Sequence, residues 1–243
     1  MFYQMSLGVA IPTMDRWDDF LKKQLPIYLN HPKIKCVVIC DENGNDIAKI
    51  VESIYALNPK LRLYQNESVL GVYGNKRECL INCPTDWVAV LDSDNFFEPS
   101  FFDAFLASVE RDGHNMKTIY SAGQNLRLDL NTGLIEDKTQ HFSGMNISRS
   151  NWNSVIETPG WNFLLNDGNS IWPKDVIVNF PPLPEERIVG TDSIFFMKRA
   201  VEAGFTLRVE PTMKYTHTVH SGSHWLQNAT VSSRLLGMMD LKI

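Results

Sequence analysis

The clearest chemical signal in the sequence is Asp92-Ser93-Asp94-Asn95, which follows directly on the apolar run WVAVL at residues 87–91. Two carboxylates separated by one residue, at the carboxyl end of a buried strand, offer the hard oxygen ligands that Mg2+ and Mn2+ take. Acidic pairs are also common in solvated turns, so the spacing by itself leaves both readings open. Asp41 follows the apolar run IKCVVIC and opens the polar cluster DENGND, where an Asp before Asn-Gly also serves as an ordinary turn residue. Thr13 and Asp15 stand where they would cap the helix that follows. Asp192 begins the helical pattern DSIFFMKRAVEAG. A carboxylate there is favoured by the helix dipole and is also placed to accept a proton, and the two roles are compatible. The tail YTHTVHSGSHW holds three of the six histidines, His217, His220 and His224. In a strand, His217 and His220 face opposite sides, so at most one points at a metal unless the chain turns.

These groups act together only if the elements around them converge. Residues 6–12 read as a short buried strand stopped by Pro12, and residues 15–30 carry helical spacing that Pro26 kinks or ends. A β-branched strand at 34–40, a helix at 46–57, a strand at 61–64, a helix at about 74–83 and a strand at 87–91 follow. That alternation predicts βαβ units on a parallel sheet. Right-handed crossovers place the strand ends on one edge, where open α/β sheets bind ligands. The polar clusters after the first, second and fourth strands are expected to meet there. The second half is mixed: a helix at 100–112, extended segments at 118–128 and 141–148, a Trp- and Gly-rich stretch, a helix at 191–204 and a strand at 205–209 that leads into the histidine tail. The expected fold class is α/β, one domain over 1–243, with a mostly parallel central sheet flanked by helices and a mixed second half.

Composition narrows the classes. The chain has 243 residues, is 44% hydrophobic and 21% charged, and carries a formal charge of −5, which provides no overall basic field for a nucleic acid. No apolar segment is long enough for a transmembrane span, and the N-terminus lacks the basic and apolar pattern of a signal peptide. The four cysteines, Cys36, Cys40, Cys79 and Cys83, form two i, i+4 pairs, too wide for a CxxC redox or zinc motif. Buried free thiols and a reducing, cytoplasmic location are expected.

The strand ends IPTMDR and ICDENGND, the stretch LGVYGNKRECLINCPTDWVAVLDSDN and the later GTDSIFFMKRAVEAGF resemble, in this order, the motifs of family 2-like glycosyltransferases with the GT-A fold. The resemblance covers residues 6–110 well and 185–224 in patches. It implies an inverting, metal-dependent transfer of one sugar from a nucleotide diphosphate sugar, with uracil as the base, to a hydroxyl of a glycan or glycoconjugate. Thr13 and Asp41 would then contact the nucleoside, Lys76 the base or diphosphate with Arg77 as a substitute, and Asp92 and Ser93 the nucleotide. Asp94, with Asp92, would hold Mn2+ or Mg2+; a late histidine would complete the site, His217 in preference to His220. Asp192 would be the general base. Asp167, Asn169 and Trp161 would face the sugar, residues 1–98 forming the nucleotide-binding half and 99–243 the acceptor half. The chain departs from the family pattern at Thr191-Asp192, usually Glu-Asp, and at Lys76-Arg77, usually Arg-Asn. Two other readings compete: a sugar-phosphate nucleotidyltransferase, disfavoured because IPTMDRW lacks a glycine-rich phosphate loop, and a non-catalytic carbohydrate- or nucleotide-binding relative, disfavoured by the joint presence of Asp92, Asp94 and Asp192.

Overall fold

The structure, a computed structural model, describes residues 5–184 and 187–243, with the side chains of Asp167, Val178, His224 and Trp225 outside the description. The first strand, β1 (Leu7–Thr13), is buried at every position. It pairs in parallel with β2 (Ile34–Asp41) on one side and β4 (Trp87–Val90) on the other, and β2 pairs in parallel with β3 (Leu61–Gln65). A strand covered on both faces reads as a continuous apolar run, as these do. Pro12 does not stop β1; it lies inside it, in register with Cys40. The ladder to β4 ends at Ala10, so the N–H that Pro12 lacks falls where no neighbouring strand requires it.

Trp17–Leu21 form a π-helical turn that runs into helix α1 (Lys22–Asn30). Pro26 does not end this helix. The bond it forfeits is to the carbonyl of exposed Lys22, while Leu25, Tyr28 and Leu29 bury the opposite face. Helix α2 (Asn45–Val51) is shorter than expected, and Ile54 and Leu57 beyond it lie on the surface. Helix α3 (Gly71–Asn82) starts three residues earlier than expected, at Gly71, whose φ of +76° suits glycine.

After β5 (Phe96–Phe97) and α4 (Pro99–Arg111) the chain returns to the same sheet through β6 (Thr118–Asp129) and the short β7 (Ile135–Asp137). The expected extended segment at 141–148 is mostly irregular; only β8 (Asn146–Ile147) is strand. Helices α5 (Trp152–Ile156) and α6 (Trp161–Leu164), then β9 (Ser170–Pro173) and α7 (Asp192–Glu202), lead to β10 (Thr206–Val219). β10 is far longer than the five residues expected, because it pairs with β6 almost throughout. Helices α8 (His224–Gln227) and α9 (Ala229–Met238) close the chain.

Among the described residues one sheet joins both halves, in the order β3-β2-β1-β4-β9-β6-β10-β5. The β1–β4 group and the β6–β10 pair are parallel, while β9 is antiparallel to both its neighbours. One face packs Tyr73, Trp152, Trp172 and Phe196; the other packs Leu25, Tyr28, Phe101 and Phe105. The four cysteines are free, buried thiols on the first of these faces. No helix among the described residues is long and apolar enough to cross a membrane.

Candidate active site

The carboxyl ends of β1 and β2 lie side by side, Thr13 in register with Asp41. Asp41 is fully buried, and its carboxylate accepts the backbone N–H groups of Asn43 at 3.3 Å, Asp46 at 2.9 Å and Ile47 at 3.0 Å. Burial pushes its pKa up, against the pull of these bonds. Its carboxylate is therefore engaged in fastening the start of α2. Thr13 is likewise turned inward, donating to Asp46 at 2.5 Å, while Asp46 also accepts the N–H groups of Arg16 and Trp17 at 3.0 and 2.8 Å. Asp46 is the buried keystone of the β1–α1 loop, and its cue in the sequence was its position in the first turn after Gly44-Asn45.

Three side chains from distant segments meet at the middle of the sheet edge. Lys76, on α3 and only 2% exposed, donates to Asp192 Oδ2 at 2.7 Å and lies 3.0 Å from Asp92 Oδ1. Burial raises the Asp92 pKa, Lys76 opposes that shift, and the nearby charges of Asp94 and Asp192 add to it. Asp192 stands in the first turn of α7, directly after Thr191, which binds back to the Ile188 carbonyl. The backbone of Gly168 closes in on the same centre: a Cβ there would lie 3.3 Å from Asp92 Oδ2.

Asp94 faces His220, whose Nε2 is 3.0 Å from Asp94 Oδ2. This bond comes from the loop beyond β10, so the chain turns as His220 required. His217 is inside β10; its Nδ1 is buried with no hydrogen-bond partner, and burial lowers its pKa to about 4. Of the two histidines His220 makes the direct contact with Asp94, the reverse of the preferred order. Asn95 secures this arrangement by accepting the Thr218 N–H at 2.8 Å, and Arg16 steadies the His220 loop by donating to the Gly222 carbonyl at 2.8 Å. Neither role was visible in the sequence, since both join residues more than 120 positions apart.

Several expected contacts lie elsewhere. Arg77 donates to the Phe180 carbonyl at 2.8 Å and leans on Glu78. Asn169 is fully buried and bonded to Ser121, Ser170 and the carbonyls of Phe163 and Leu164, a structural role that leaves it no access to sugar. Trp161 packs against the core. Ser93 is buried between the two aspartates of its turn. The side chain of Asp167 lies outside the described residues. Beside His217 is a cavity of about 10 Å³ bordered by Asn125, Arg127 and Asn166; Lys138 and Phe163 line both it and an open groove of about 610 Å³.

The carboxylates of Asp92 and Asp94 and the imidazole of His220 are donor types that a divalent cation takes, and the buried Nδ1 of His217 has no hydrogen-bond partner. Among the described residues, no three His, Cys, Asp or Glu side chains stand grouped so that they could hold a metal ion.

The mostly parallel α/β sheet, flanked by helices and with carboxylates gathered at its strand ends, has the architecture of the GT-A fold. The model of glycosyl transferase family 2 matches residues 9–166, and the chain belongs to that family; it is a glycosyltransferase. A sequence search of curated proteins returned no match. Among solved structures the chain is similar to S. aureus TarS 1–349 in complex with UDP-GlcNAc, at 17% identity and a TM-score of 0.67, covering 90% of this chain and 60% of that one. It is similar to the same protein in complex with UDP at 16% identity and a TM-score of 0.65, covering 98% and 67%. Full TarS aligns at 18% identity and a TM-score of 0.63, and the chain spans 41% of its length.

Proposed function

We propose that the chain moves one sugar from a UDP-linked donor to a hydroxyl of a glycan or glycoconjugate, with inversion, in a reaction that uses Mn2+ or Mg2+. The observation that carries this reading is the meeting of Asp92 and Asp192 at one buried ammonium, beside Asp94 and His220. The UDP and UDP-GlcNAc complexes of similarly folded TarS support the choice of donor. Asp192 takes the proton from the acceptor hydroxyl as its oxygen attacks the anomeric carbon. Asp94, Asp92 and His220 would hold the cation, with His217 in reserve behind them; when bound, the cation neutralises the departing diphosphate. Thr13 and Asp41 serve the nucleoside through the loops they hold, residues 13–16 and 42–46, rather than by side-chain contact.

Residues 1–98 form the nucleotide-binding half and 99–243 the acceptor half of a single domain. The four free thiols favour a cytoplasmic setting. A thermal-shift screen of nucleotide sugars with and without Mn2+ tests the donor and cation together, because a ligand that binds only the folded state raises the melting temperature by mass action. A rise with UDP-sugars that needs Mn2+ is the expected outcome. A rise with no nucleotide, or equal rises with every base, overturns it.

A further inference from the structure

We infer that Lys76 is a positioning residue that holds the base Asp192 and ties it to the donor-side carboxylate Asp92, rather than a ligand of the donor. The inference rests on the proposed sugar transfer for the roles of the two aspartates, and on the geometry for everything else. Lys76 is 2% exposed, so its ammonium has exchanged water for protein groups. A buried lysine is tolerated when carboxylates replace its solvation, and among the described residues Asp192 Oδ2 at 2.7 Å and Asp92 Oδ1 at 3.0 Å do so. To bind a base or a diphosphate the ammonium would have to give up both, leaving the buried carboxylate of Asp192 beside the partly exposed carboxylate of Asp92 with no cation between them.

Each partner lies on a different element, Lys76 on α3, Asp92 at the turn after β4 and Asp192 at the start of α7. No covalent neighbour fixes α7 relative to the β4 turn. Phe196 seats α7 against Tyr73 and Trp172 in the core, and the ammonium adds a polar tie from Asp192 to the β4 turn. It holds the Asp192 side chain by Oδ2, which leaves Oδ1 as the oxygen to meet an acceptor proton. A base held in one orientation avoids the rate loss that follows a small misplacement. The pairing also explains why an ammonium on α3 suffices where the family pattern has another basic residue: the site asks for a compact charge between two carboxylates, which Lys provides as a point donor.

Lys76→Met, Asp192→Asn and the double variant test this by three readouts: UDP affinity by calorimetry with Mn2+, turnover of UDP-GlcNAc to UDP at saturating donor, and melting temperature. The expectation for Lys76→Met is a turnover loss of about 100-fold with UDP affinity within about threefold of the parent. The melting-temperature losses of the two single variants are expected not to add, since the double variant removes both ends of one ion pair. That double variant, with one carboxylate neutralised, keeps the test in force if Lys76→Met alone fails to fold. A loss of UDP affinity of about 10-fold with saturated turnover retained makes Lys76 a donor ligand and overturns the inference. Additive melting-temperature losses overturn it as well. A parent that neither binds UDP nor releases it from UDP-GlcNAc sinks the donor reading instead, while the melting-temperature cycle still decides the pairing.

Discussion

His217 lies inside β10 with Nδ1 buried and unpartnered, and burial pulls its pKa from 6.5 to about 4. The folded protein therefore keeps the ring neutral where the unfolded chain would protonate it. Stability from this group is fully present above about pH 6.5 and is lost as pH falls toward about 4, by on the order of 3 kcal/mol. Melting curves of the parent and His217→Asn between pH 7 and about 4.5 check this; the parent should lose more than the variant, and parallel curves would refute it. Asp92, Asp94 and Asp192 stood out in the sequence because the first two follow a recognisable apolar run and the third opens a helical pattern. What their neighbours do was not legible. Asp41 and Asn169 carry polar groups that point toward a ligand role in sequence, yet burial and backbone partners claim both. Lys76 gave its charge but not its partners, which lie 16 and 116 residues away.

Helix α3 positions Lys76, and Lys174 secures its far end by donating to the carbonyls of Leu80, Ile81 and Cys83. Those are the last carbonyls of a helix, which have no partner within it. Lys174→Met should cost about 1 kcal/mol by chemical denaturation, since these partly buried carbonyls lose a charged donor. An unchanged midpoint would show that water replaces the ammonium at no cost. On the other side of the sheet, Gly123 in β6 faces the irregularity in β10 between Glu210 and Lys214, where a Cβ would come within 2.6 Å of the Glu210 carbonyl oxygen. The obstacle is backbone, so Gly123→Ala should lower stability by about 1–3 kcal/mol, and a neutral effect would mean that β10 shifts freely. The first four strands and the helices between them were readable because a short apolar run bounded by polar turns is a local property. β9, β8 and the long β10 were not, because their strand character depends on partners far along the chain: β10 pairs with β6 from Thr206 opposite Thr118 to Val219 opposite Asp129.

Among the described residues, one sheet carries the edge where Asp92 and Asp94 stand and the later segment that brings Asp192 and His220 to it. The expected alternation of strands and helices appears in the first half, and the second half adds its parallel β6–β10 pair through the antiparallel β9. The convergence of residues 92–94, 192 and 220 is a product of that continuity, since the segments that carry them share no local contact in sequence. It is also the point on which the catalytic account stands. The most direct measurement is release of UDP from UDP-GlcNAc by the parent and by Asp192→Asn, alongside UDP affinity in Mn2+. Turnover is expected to fall by about 100-fold or more while UDP affinity stays within about threefold, as befits a base that acts on the acceptor. Equal turnover in the two proteins would contradict it.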